Sequence, residues 1–281
     1  MTVRERFPDR DIVENGIVTY YRWLAGLAVL FIALERAWPR LPNQRLFRPG
    51  WLSDAIYIVF NSRFAGVLAG YVAVLWLQRL DAIFARGTLA SWPWWAQFFT
   101  LLISIDFAKW SIHNLLHRTP WLWEFHKVHH SIVDMDWMGD WRFHWGEILV
   151  YNTLLYAPTA LLGVRGEVAL AVGVFDTLIG HFAHANLRWR IGWLKYIINS
   201  PEMHLWHHNH PDCGPINRNF ALTLSIWDWI FGTAYLPGHA PARLGFEGVE
   251  RYPKQLPGQW WAPFSALAGR MSTVRYTNRK G

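Results

Sequence analysis

Ten of the 13 histidines in this 281-residue chain fall into four tight clusters, and any fold it adopts must accommodate them. They are His113-Asn-Leu-Leu-His117, His126-Lys-Val-His129-His130, the looser His181-Phe-Ala-His184, and His204-Leu-Trp-His207-His208. Residues at i, i+3 and i+4 share one face of a helix, so each cluster can aim two or three rings at one point. Neutral imidazole is the commonest side-chain ligand for a transition metal. Ten rings exceed the four donors that a tetrahedral zinc takes. A fold that gathers the clusters around two ions is the economical expectation.

The rest of the chain is poor in charge, with 17% Asp, Glu, Lys and Arg against about 25% in an ordinary soluble domain. Apolar runs lie at 23–34, 64–78, 94–108, 148–164 and 168–180, the last two parted by Arg165-Gly166-Glu167. A bilayer crossing takes about 20 mostly apolar residues, a length that several of these runs reach only with flanking aromatics. Trp23, Trp38, Trp51, Trp92, Trp94 and Trp95, among 20 tryptophans, stand near the ends of the runs, where an amphipathic ring suits a membrane–water interface. Residues 1–16 are strongly polar and do not resemble a cleavable leader. The single cysteine, Cys213, excludes an internal disulfide. The net charge of +7 is scattered at the ends of apolar runs. That pattern points to lipid headgroups and a positive-inside bias, and away from nucleic acid.

The coarse pattern is helical, without a repeat of fixed period. Residues 17–35 and 51–79 read as two apolar helices joined by a linker holding Arg36, Arg40, Arg45 and Arg48, broken by Pro39 and Pro42. Residues 94–117 read as a third, with His113 and His117 at its far end. Thr119-Pro120 breaks the chain before a short helix with His126–His130. Residues 148–164 and 168–186 form a hairpin whose return arm ends in His181 and His184. Residues 187–281 read as a polar, aromatic-rich tail. Two crossings through the hairpin return the third cluster to the side of the first two, so all four can meet at one membrane face. The expected fold is all-α: an integral membrane helical bundle with a histidine-rich cytosolic helical cap made from 118–147 and 187–240. The expected division is 1–93 for the N-terminal membrane helices and linker, 94–240 for the histidine domain and 241–281 for the C-terminal tail. The positive-inside rule places the cap in the cytoplasm.

The residues leave the metal open among iron, copper, zinc and nickel. No HExxH of a zinc hydrolase occurs, and Asn114 follows His113. No ExxH of a soluble carboxylate di-iron bundle occurs either. Haem would leave most of the rings unexplained. Bound imidazoles usually give their outer N–H to a carboxylate or carbonyl. Asp106 is two helical turns before His113 and is one candidate for that role; Glu147, Asp140 and Asp228 are others. His144 is expected beside Glu147 and not among the ligands.

The motifs together resemble the fatty acid hydroxylase/sterol desaturase superfamily of membrane oxygenases, over roughly residues 100–237. The resemblance rests on Asp106 before His113-x-x-x-His117-Arg118; on Glu124-Phe125-His126-Lys127-Val128-His129-His130; and on Arg142-Phe143-His144-x-x-Glu147. It continues through His184-Ala185-Asn186 with Gly192-x-Leu194, His204-x-x-His207-His208, and Asn219 leading to Trp227-Asp228-x-x-Phe231-Gly232-Thr233. The resemblance implies two non-haem iron ions, O2 as co-substrate, and hydroxylation or desaturation of a lipid C–H bond. Carried over, it makes His113, His117, His126, His129, His130, His204, His207 and His208 iron ligands, with His184 a further one; His181 is included beside them. The chain departs from the pattern at Asn114, where relatives often carry Arg, and at Leu205-Trp206, where a bulky Trp is expected to narrow or redirect the substrate channel.

The function expected is therefore a membrane-bound, O2-dependent lipid hydroxylase or desaturase. No GxGxxG and no cysteine cluster occurs, so electrons are expected from an external reductase, ferredoxin or cytochrome. A membrane metal carrier without redox chemistry is the alternative.

Overall fold

The computed structural model describes residues 10–65 and 89–277. Of the expected helix at 51–79, residues 66–79 lie outside these, as does most of the apolar run at 64–78. The described residues form nine α-helices joined by turns: α1 (Arg10–Ala37), α2 (Trp51–Val59), α3 (Trp94–Arg118), α4 (Pro120–His130), α5 (Trp145–Leu162), α6 (Gly166–His184), α7 (Pro201–His207), α8 (Ile226–Ile230) and α9 (Leu256–Thr277). Extended pairing among them is confined to the isolated bridges Pro39–Leu187 and Asn209–Leu244. The all-α expectation holds over these residues.

Among the described residues two helices are long and apolar enough to cross a bilayer, Val18–Ala37 within α1 and Gly166–His184, which is α6. The expected crossing at 94–117 is not one of them, since α3 carries Gln97, Asp106 and Lys109 along its length. Helices α1, α3 and α6 run parallel. The backbone N–H of Arg165 donates to Gln97 Oε1 at one end of α3 and α6 (3.0 Å). Further along, Leu101 and Leu102 pack on Val172, and the Lys109 ammonium pairs with Asp176. Tyr20 Oη meets Thr177 Oγ1 at 2.9 Å. At the far end of α1, Glu35 Oε1 accepts from the backbone N–H groups of Trp137 (2.9 Å) and Asn186 (2.8 Å). Helix α5 runs back between, with Tyr151 Oη donating to the Lys109 carbonyl at 3.4 Å. This is the expected hairpin, and it delivers His113, His117 and His184 to one end.

The loops gather at that end. The linker after α1 docks on it: the N–H of Arg40 donates to Asn186 O (3.0 Å), and Gln44 Nε2 to Met135 O (3.0 Å). Arg48, expected in a linker that faces headgroups, is instead buried, as is Arg142. Arg48 forks onto Asp136, donating from Nε and Nη2 (both 2.6 Å), and bonds Asp54 Oδ2 (2.7 Å). Arg142 binds the same Asp54, at 2.8 Å through Nη2. A planar guanidinium meets a carboxylate in two parallel bonds, so this network clamps the linker, α2 and the 136–142 segment together. The expected polar tail also contains α9. Tyr57 Oη donates to Gln259 Oε1 (3.1 Å), and His144 Nε2 donates to Trp260 O (3.0 Å), which fastens α9 against α2 and the start of α5.

Candidate metal centre

Nine of the ten clustered histidines converge in two adjoining groups. One nitrogen each from His113, His117, His126, His130 and His207 lie within 4.8 Å of one another, and so do those from His129, His184, His204 and His208. The groups touch: the rings of His130 and His208 stack at 4.3 Å between centroids, and those of His204 and His207 at 5.2 Å. Local sequence sets each contribution. Helix α3 places His113 and His117 one turn apart on the face that α4 meets. Pro120 stands at the start of α4, where its missing N–H costs nothing, and α4 brings three rings from a single face and its edge. Ser200 caps α7, accepting from the Met203 N–H, with Pro201 behind it; α7 then supplies His204 and His207, with His208 just beyond.

The outer nitrogens fix what the inner ones are. His113 Nδ1 lies 2.7 Å from Phe220 O, His207 Nδ1 2.9 Å from Arg218 O, His184 Nδ1 2.9 Å from Gly180 O, and His129 Nδ1 3.3 Å from Arg142 O. A carbonyl only accepts, so each of these Nδ1 atoms carries the proton and each neutral ring presents a bare lone pair at Nε2. Those lone pairs face each other. Nε2 of His113 is 3.0 Å from that of His126, and Nε2 of His208 is 3.0 Å from that of His204 and 3.1 Å from that of His129. His207 Nε2 is buried without a partner. Lone pairs held this close need a cation between them, so the donor set fits two bound metal ions. Five nitrogens in the first group exceed the tetrahedral complement of zinc.

Burial keeps the rings neutral. His129, His130, His204, His207 and His208 are held well below the ordinary imidazole range, first by desolvation and then by neighbouring imidazoles. Desolvation brings His126 to about 3. Its Nδ1 lies 2.8 Å from Glu147 Oε1. Burial pushes the Glu147 carboxyl up to about 8. A cation on the inner side of His126 favours the opposite sharing, with Nδ1–H donating to a carboxylate.

The expected orienting acids divide. Glu147 contacts a histidine directly. Asp140 serves the other group: its Oδ2 is 2.9 Å from His181 Nδ1, and its Oδ1 is 3.5 Å from His184 Nδ1. Asp106 touches no histidine. It accepts from the N–H groups of Thr223 (3.1 Å) and Leu224 (3.0 Å) and from Trp227 Nε1 (2.8 Å). Asp228 also acts one step removed, accepting from Trp110 Nε1, Thr233 Oγ1 and the N–H groups of Phe220 and Ala221 at 2.6–3.0 Å. Together the two acids pin the loop whose Phe220 carbonyl orients His113. His181 stands outside both groups, its ring against Phe31 and Trp137. Trp206 is 1% exposed; its Nε1 donates to His239 O (2.6 Å) and its ring packs on Tyr235. It props the 235–239 segment, a different task from the channel wall expected of it. Reading the sequence missed the backbone carbonyls, which leave no sequence signal, and Phe143, which stacks on His129 at 4.4 Å and 6°.

Comparison with known proteins agrees with the geometry. Residues 98–233 match the model of the fatty acid hydroxylase family. An ornithine lipid hydroxylase of Rhizobium tropici is 34% identical over 146 residues, covering 52% of this chain and 44% of its own. Alkylglycerol monooxygenases of Xenopus tropicalis and Homo sapiens are 31% and 29% identical, covering 50% and 66% of this chain and 30% and 41% of their own. The chain thus spans less than half the length of these relatives. No solved structure matches it. Residues 98–233, the stretch that supplies all nine converging histidines, are thus similar to the fatty acid hydroxylase family.

Proposed function

We propose that the chain is a membrane-bound, O2-dependent lipid hydroxylase with a di-iron centre, held by His113, His117, His126, His130 and His207 on one side and His129, His184, His204 and His208 on the other. The observation that carries this reading is the convergence of inward-facing lone pairs in two adjoining groups. Bound iron would supply the activation of O2 and the removal of hydrogen from a lipid carbon. The chain's own residues do the rest. Carbonyls and Glu147 hold protons at the outer nitrogens of His113, His126, His129, His184 and His207, so their inner ones stay free to bind. Phe143 and Phe220 line the rings and keep water out. The names of the relatives, hydroxylase and monooxygenase, support hydroxylation over desaturation.

Electrons reach such a centre from a separate reductase, ferredoxin or cytochrome. The chain crosses the membrane several times, with the centre at the cytoplasmic face; two apolar helices of crossing length support the membrane reading, and the exposed Arg118, Arg188 and Arg190 support the side. Residues 94–240 form the catalytic unit, flanked by 1–93 and 241–281. Lipid profiling of cells carrying wild type, His129→Ala or His207→Ala tests the reading. Both variants should lose a product heavier by one oxygen than its precursor. A product that persists in both variants refutes the proposal.

A further inference from the structure

Eight of the nine converging histidines are buried, and His117 alone is half-exposed. The centre therefore opens beside His117. Trp123 packs beside His117 there and the buried Phe220 lies behind it, with ring centroids 4.9 and 5.3 Å from that of His117. The opposite group is buried throughout, with Phe143 stacked on His129. Around the mouth the surface is of two kinds. Leu115 and Trp121, just before and after His117, are each 55% exposed, and Ile216 is 52% exposed; Ile216 stands two residues before Arg218, whose carbonyl holds His207 Nδ1 at 2.9 Å. Between these apolar groups stands Arg118, exposed, with its guanidinium 6.0 Å above the Phe220 ring. Among the described residues it has no carboxylate partner.

We propose that this mouth admits an amphiphile with an anionic headgroup, which Arg118 binds while the apolar part lies against Leu115 and Trp121. The proposal rests on the oxygenase reading. A guanidinium matches a phosphate or carboxylate in a pair of charge-assisted bonds. Phe220 touches both Arg118 and His117, so the headgroup sits one ring away from the histidines. The carbon presented to the centre then lies near the polar end of the molecule. The depth of the site agrees: His184 ends an apolar helix of membrane-crossing length, and a bilayer places headgroups at that level.

The test titrates the full-length, metal-loaded protein in detergent with dioctanoyl phosphatidate, octanoate and neutral dioctanoylglycerol. At least one anion should bind about ten-fold tighter than the neutral lipid, the scale of a charge-assisted bond. Arg118→Ala should abolish that preference, Arg118→Lys should restore part of it, and Arg165→Ala, an exposed arginine at the opposite end of α6 from His184, should leave it intact. A preference for phosphatidate alone assigns a phosphate headgroup, and equal binding of octanoate assigns a carboxylate. Equal binding of the neutral lipid, or a preference that survives in Arg118→Ala, overturns the proposal. Metal content measured on the same samples separates this outcome from failure of the di-iron reading.

Discussion

Gly180 leaves no room for a side chain beside Asp140. A Cβ there would stand 2.6 Å from Asp140 Oδ1 and 2.7 Å from Oδ2, so only glycine lets this carboxylate reach His181 and His184. Gly180→Ala should cost about 1–3 kcal/mol, as over-packing does. It should also lower metal content, read by thermal melting and elemental analysis. A variant with unchanged metal content contradicts the positioning role of Asp140. His181 and His184 make a sharper pair. His184→Ala should lose metal, whereas His181→Ala should retain it, because His181 lies outside both groups; loss of metal in both variants would return His181 to the ligands. The histidines were legible in the sequence because helix spacing alone places i, i+3 and i+4 together. The partners of their outer nitrogens were not, since four are carbonyls that any residue supplies.

At the scale of elements, two buried acids hold the loop from Arg218 to Asp228 in place. Asp228→Ala would strand donors on Trp110, Phe220, Ala221 and Thr233. An unsatisfied buried donor costs about 1–3 kcal/mol, so this variant should melt markedly lower and hold less metal at the His113 group. A melting temperature equal to wild type would show the loop to be held otherwise. Asp54→Ala should be severe, roughly 3–5 kcal/mol, because it leaves Arg142 buried without a carboxylate and takes one carboxylate bond from Arg48. The hairpin of α5 and α6, and the parallel course it imposes on α3 and α6, could be read from apolar run lengths and breaks. The arginine clamp could not. Arg48 meets Asp136 across 88 residues, and nothing in local spacing separates an arginine that faces headgroups from one that enters a core. Helix α9 was missed because its apolar residues are interrupted by Pro263 and by polar positions.

For the whole molecule, the histidine centre makes stability depend on pH. The rings of His126, His129, His130, His204, His207 and His208 titrate below the ordinary value of about 6.5 in the folded chain and near that value once unfolded. Below about pH 6.5 the unfolded chain therefore binds more protons, and stability falls as pH drops, by up to about 1.4 kcal/mol per unit for each ring. Metal binding acts in the same direction, since a ligand must be unprotonated. Melting at pH 7.5 and pH 5.5 should show a lower transition and metal release in acid; a pH-independent transition would mean that the rings are solvated. The most direct measurement is the metal content of the purified, catalytically active full chain. Two irons per chain, with activity lost when they are removed and regained when iron is returned, is the predicted result. An active preparation that holds zinc alone, or no metal, would contradict the account.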